Sequence, residues 1–154
     1  MKLKEGDLAP NFELLDDESQ PRRLTEFAGR KLVLYFYPKD DTTGCTAEAC
    51  SFRDNYAVFE KQGIQVIGIS ADSTKSHDSF KQKYGLPFVL LSDPEHKVCE
   101  AYGVWGTKKM YGREYQGILR TTFLIDEVGK IMKIYEQVKP TNHAQEILQE
   151  FGLS

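Results

Sequence analysis

Apolar and polar positions along the chain fall into two kinds of run. Residues 31–37 (KLVLYFY), 64–70 (IQVIGIS), 87–91 (PFVLL) and 118–126 (ILRTTFLID) are short blocks dominated by apolar, β-branched and aromatic side chains. Blocks of this length, bounded by turn residues, predict strands buried in a sheet. Between them the apolar residues recur at spacings of three and four. Ala49, Phe52, Tyr56 and Phe59 share one face, which predicts a helix over 43–62 stopped by Gly63. Ser73 starts a helix to about Tyr84 with Gly85 as its stop, Pro94 opens another over 94–102, and Asn142 caps a last one from about 143 to 151. Residues 12–15 and 22–24 flank a polar turn and predict an N-terminal hairpin, followed by one helical turn over 25–29. Residues 130–136 return against 118–126 through Glu127-Val128-Gly129. The stretch from Tyr102 to Gln116, with Trp105, Tyr111 and Tyr115, shows no clear period and is expected as an irregular aromatic-rich loop. The order is a hairpin, then βαβαβα, then ββα. Strands separated by helices predict a parallel central portion, and the terminal hairpin adds antiparallel edges: an α/β fold with a mixed sheet.

Composition narrows the function classes. A chain of 154 residues suits one domain with a real core, here spanning 1–154. A net charge of −3 is too mild to argue for nucleic acid or an anionic membrane surface. No apolar run approaches the roughly 20 residues needed to span a bilayer. The opening MKLKEGD has no apolar signal core, so a cytoplasmic location is expected. Three cysteines do not make a disulfide scaffold, and a close pair in a reducing compartment reads as a redox or metal site.

The candidate chemistry sits in PKDDTTGCTAEAC, residues 38–50, where a buried strand ends and a helix begins. Thr42 and Thr43 are natural cap residues there, and Cys45 falls in the first helical turn. Unpaired N–H groups and the helix dipole favour negative charge at that position, and the thiolate is the nucleophilic form of cysteine. The plainer alternative is that Cys45 is a small hydrophobe in a turn. Thr42 can serve only as a cap and Pro38 only as a strand stop. Glu48 reads as a solvated first-turn acid favoured by the helix dipole. Arg120 stands amid an otherwise apolar strand and needs a partner to be there. His77, His96 and His143 lie outside the motif and are expected at the surface or in caps, and Cys99 is expected to serve packing.

Pro38, Thr42 and Cys45 fit the P-x-x-x-T-x-x-C signature of the peroxiredoxins, and Cys50 follows Cys45 by five residues as in the bacterioferritin-comigratory (Q-type) subfamily. The resemblance extends over essentially the whole chain, through GDLAPNF, GISADS, YGVWG and RTTFLID. It implies a thioredoxin-like fold with an N-terminal β-hairpin extension. It implies a peroxidase in which Cys45 attacks a hydroperoxide and becomes a sulfenic acid, with Thr42, Pro38 and Arg120 shaping the site and Glu48 positioning the arginine. Cys50 would resolve the sulfenic acid to a disulfide, and thioredoxin or a similar dithiol would reduce it. The implied protein uses no cofactor or metal and is a monomer or weak homodimer.

Helix geometry tests the resolving role. Five residues on a helix put two Cα atoms roughly 8–9 Å apart, beyond the reach of about 7 Å that a disulfide tolerates. The first turns of the helix must therefore unwind when the bond forms. Two other readings compete. A general thiol–disulfide oxidoreductase on the same fold usually carries C-x-x-C, whereas this chain has C-x-x-x-x-C. A zinc or binding module is poorly served by three cysteines without C-x-x-C pairs.

Overall fold

The structure, a computed structural model, describes residues 2–153. A seven-stranded mixed sheet forms its centre, in the order β2-β1-β5-β4-β3-β8-β9. These strands are β1 (Glu13–Asp16), β2 (Pro21–Arg23), β3 (Lys31–Phe36), β4 (Ile64–Ser70), β5 (Val89–Ser92), β8 (Thr121–Ile125) and β9 (Ile131–Tyr135). Strands β3, β4 and β5 run parallel, while β1 and β8 pair antiparallel to β5 and β3. The mixed sheet, the N-terminal hairpin and the β8–β9 pair match the expected α/β, thioredoxin-like order.

Alternation along β3 builds two cores. Val33, Tyr35 and Tyr37 join Phe52, Phe59, Phe80, Ala144 and Ile147 on one face. Leu32, Leu34 and Phe36 join Phe12, Ile67, Tyr102 and Phe123 on the other. The first face is covered by α1 (Thr43–Asp54), α2 (Tyr56–Lys61), α3 (Thr74–Tyr84) and α5 (His143–Glu150), and the second receives Cys99 and Tyr102 from α4 (Lys97–Ala101) and the turn after it. Tyr35 lies so close to Gly68 that a Cβ there would stand 2.9 Å from its ring, so the neighbouring strand needs glycine at that point.

Several expectations change. The helix expected over 43–62 is two helices, because the Asn55 side chain donates to the Ser51 carbonyl at 2.8 Å and the backbone leaves helical geometry there. Helix α4 begins at Lys97, with Pro94 in the turn before it. The expected loop over 102–116 is largely a two-stranded hairpin, β6 (Trp105–Met110) with β7 (Arg113–Ile118), separate from the main sheet. Tyr111 and Gly112 both have positive φ, 52° and 76°, as a two-residue primed turn requires. Neither face of this hairpin is strongly apolar, so it lacks the period that marks a half-buried strand.

Candidate active site

Backbone geometry brings the 38–44 loop to the carboxyl end of β3, between β4 and β8. Thr121 of β8 pairs with Phe36 of β3, so the start of β8 lies beside the loop. Arg120 is not within a strand, as the apolar block suggested. It occupies the joint between β7 and β8, where its backbone is free of the sheet and its side chain turns toward α1.

That placement assembles a three-membered cluster from residues 72 and 75 apart in sequence. Arg120 Nη2 donates to Cys45 Sγ at 3.3 Å, and Nη1 donates to Glu48 Oε1 at 2.6 Å. Cys45 is buried at the third position of α1, and Glu48 one turn later is fully buried, so the two face the same guanidinium. Gly44 makes room for it: a Cβ there would sit 3.1 Å from Arg120 Nη2.

The charges do not balance comfortably. Burial raises the Glu48 pKa to about 7 despite the nearby guanidinium. Burial also works against the charge of Arg120, but Glu48 and then Cys45 outweigh it and hold the arginine more firmly protonated. Among the described residues, Glu48 Oε2 has no hydrogen-bond partner, and neither does the buried Tyr35 hydroxyl. Lys108 of β6 has its pKa lowered by burial and then by Arg120, so a second cation faces the same region.

Thr42 stands at the N-cap of α1 but makes no side-chain cap. Its hydroxyl donates instead to the Lys39 carbonyl at 2.9 Å, which pins the proton and leaves the oxygen lone pairs free to accept. Pro38 is half-buried just after β3. Cys50 is half-buried, while Cys99 is fully buried in the core across the sheet from Cys45. Burial and then Asp93 push the Cys99 thiol up, far from a reactive state.

Two of the three histidines differ from expectation, while His96 stands at the N-cap of α4. His77 and His143 are buried. His77 Nδ1 lies 2.7 Å from Asp40 Oδ2, and Nε2 lies 2.9 Å from the Leu91 carbonyl, which can only accept. Asp40 also accepts from Tyr37 Oη at 2.6 Å and Ser76 Oγ at 2.8 Å, and its own N–H donates to Asp72 at 2.8 Å. This second cluster ties the loop before Thr42 to α3. Asp40, Asp72 and His77 place ligand-type atoms within 4.8 Å of one another, but those atoms already bond to each other and to neighbouring groups. The doubled acid Asp40-Asp41 was its one trace in the sequence, and nothing local linked it to His77. His143 bonds Thr122 at 2.8 Å and Glu146 at 2.9 Å, and Asn142 adds no side-chain cap. The α5 start is capped by Ser51 of α1, whose hydroxyl accepts from Ala144 N at 3.0 Å.

Residues 6–134 match the sequence model of the AhpC/TSA family. A protein of Coxiella burnetii named putative peroxiredoxin bcp is 52% identical over 148 residues, covering 96% of this chain and 98% of its own length. Peroxiredoxin Bcp of Bacillus subtilis is 48% identical over 149 residues, covering 97% and 95%. A cysteine-to-serine mutant of Xylella fastidiosa PrxQ superposes with a TM-score of 0.93 at 38% identity, over 99% of this chain and 97% of that one. The bacterioferritin comigratory protein of Xanthomonas campestris, solved as trapped intermediate and ligand complexes bearing on alkyl peroxide reduction, superposes at 0.86 with 38% identity, over 92% and 90%. Among the described residues, no helix is long and apolar enough to cross a membrane.

Proposed function

The chain belongs to the AhpC/TSA family and is a thiol-dependent peroxidase, and from that premise we propose that Cys45 is the sulfur that peroxide oxidises. The observation that carries this reading is the Arg120 guanidinium donating to Cys45 Sγ at 3.3 Å in a buried site. A thiolate held by a planar multi-donor cation is oriented for attack, and the same cation steadies charge on the parting oxygen. Thr42, its proton fixed on Lys39, accepts from the peroxide hydroxyl. Pro38, at the start of the loop, offers a ring with no N–H to shield the sulfur from water. Attack breaks the O–O bond, places one oxygen on sulfur and releases water or an alcohol.

Cys50 then resolves the sulfenic acid to a disulfide. The α1 helix must unwind to allow it, and with it goes the contact of Ser51 with Ala144 and Gln145. A thioredoxin or similar dithiol returns the electrons, and the substrates are hydrogen peroxide and organic hydroperoxides. The protein works in the cytoplasm as a monomer or weak homodimer.

Treating the reduced protein with one equivalent of hydrogen peroxide and mapping its peptides by mass tests this. The expected product is a Cys45–Cys50 disulfide with Cys99 left as a thiol. A Cys45–Cys99 bond would move resolution to α4, and an unmodified Cys45 would end the nucleophile assignment.

A further inference from the structure

Two acids share one cation in this site. Cys45 Sγ and Glu48 Oε1 both accept from the Arg120 guanidinium, Glu48 is fully buried, and its Oε2 has no partner among the described residues. A dry interior does not readily hold two negative charges against one positive charge, and an ionised carboxylate with an unpaired oxygen is especially disfavoured. Granting Cys45 as the nucleophile, we propose that Glu48 stores the proton that peroxide reduction consumes, holding it while Cys45 attacks and giving it up when the sulfur loses its charge.

The reaction then balances within the cluster. The reactive state is Cys45 thiolate with Glu48 carboxylic acid. The sulfur attacks the terminal oxygen of R–O–O–H, the S–O bond forms and the O–O bond breaks. Sulfur is oxidised by two electrons and the peroxide is reduced. The peroxide's own proton remains on the oxygen now bound to sulfur. The Glu48 proton ends on the leaving oxygen, giving R–OH. Thiolate, carboxylic acid and peroxide become sulfenic acid, carboxylate and alcohol, with one net negative charge before and after. Once Cys45 is neutral, Glu48 no longer shares the Arg120 guanidinium with a second anion, and the carboxylate gains an undivided ion pair.

The surroundings fit this role. Burial raises the Glu48 pKa to about 7, where a proton can be both held and released at neutral pH. From β3, Tyr35 faces the pair, and burial holds its phenol neutral, so it does not compete for the proton. From β6, Lys108 faces Arg120 and Cys45, with its pKa lowered by burial and then by Arg120. From α5, His143 faces Arg120, with burial working against its charge and that cation adding to the effect. Among these groups Glu48 combines a raised carboxyl pKa with a direct bond to the arginine that touches sulfur.

The test uses full-length Cys50→Ser protein, designed to stop at the sulfenic acid, given one equivalent of hydrogen peroxide in weak buffer with an indicator dye. With Glu48 present, proton uptake per Cys45 oxidised should be near zero below about pH 6 and rise to about one above about pH 8. Adding Glu48→Gln should hold uptake near one across that range. In parallel, the infrared difference spectrum near neutral pH should lose a protonated-carboxyl stretch on oxidation, and that loss should be absent once Glu48→Gln is added. Uptake that follows the same pH course with and without Glu48 would overturn the proposal, as would a carboxyl band indifferent to oxidation. Mass analysis of the same samples keeps the premise separate: without oxygen on Cys45, the nucleophile assignment has failed rather than the proton store.

Discussion

Two clusters of buried charge flank the 38–44 loop, and they are built to opposite rules. In the Asp40–His77 cluster both carboxylate oxygens of Asp40 are bonded, and both ring nitrogens of His77 face acceptors at 2.7 and 2.9 Å. In the Cys45–Arg120–Glu48 cluster one cation serves two acids, and Glu48 Oε2 is unpartnered among the described residues. A fully satisfied polar network rigidifies the backbone that carries it, while a partly satisfied one keeps its charges ready to change. The loop is thus clamped on one side and left electrostatically tense on the other. The tension sits at the proposed site of peroxide reduction, as expected of sites that break local rules for chemistry.

The contrast can be broken most severely at the sulfur. Cys45→Ser removes the proposed nucleophile and should cut hydroperoxide consumption with a dithiol reductant by at least about a thousandfold, while thermal stability changes little. His77→Ala attacks the other cluster and should reverse that pattern. It leaves Asp40 buried without its main partner and should destabilise the fold by about 3–5 kcal/mol in urea titration. Cys45 oxidation in the folded molecules should keep the same order of magnitude; a collapse of that rate with stability intact would show that the clamp also does chemistry.

Arg120→Ala should slow the reaction of reduced protein with hydrogen peroxide by about a hundred- to a thousandfold, read by stopped-flow fluorescence of Trp105. An unchanged rate would show that the helix start alone suffices. The smallest effect concerns pH. The Glu48 pKa is about 7 in the folded protein against an ordinary value of 4.5. Between these values the native state binds more protons than the unfolded state, so stability falls as pH rises, by up to a few kcal/mol. The Glu48 contribution is fully favourable only below the unfolded value and is lost above the folded one. Urea midpoints at about pH 5 and about pH 8 should differ less in Glu48→Gln than in the parent protein, and an equal difference would place the charge strain elsewhere.

Much of the architecture was legible because it rests on local repetition. The β3 and β4 blocks, the Ser73 cap, where Oγ accepts from Ser76 N at 3.1 Å, and the left-handed Gly85 stop appear where periodicity and end signals put them. The two largest departures also have local causes that periodicity does not register. Asn55 breaks a helix by bonding back to Ser51, and Tyr111-Gly112 turns a hairpin with little apolar contrast between its faces. Two histidines depart from expectation for another reason: His77 and His143 are buried by partners 37 and 21 residues away.

The strand–turn–helix that carries Cys45, the apolar strands beneath it and the kinds of side chain at hand are all written in the linear pattern. They follow from interactions within a few residues, which such a pattern records. Packing of distant elements was needed to bring Arg120 out of the sheet to meet Cys45 and Glu48, to bury Glu48 rather than leave it solvated, and to set Cys99 across the sheet from the site. Burial and charge pairing depend on which of those elements come together, and a carboxylate reads the same in sequence whether water or a guanidinium faces it.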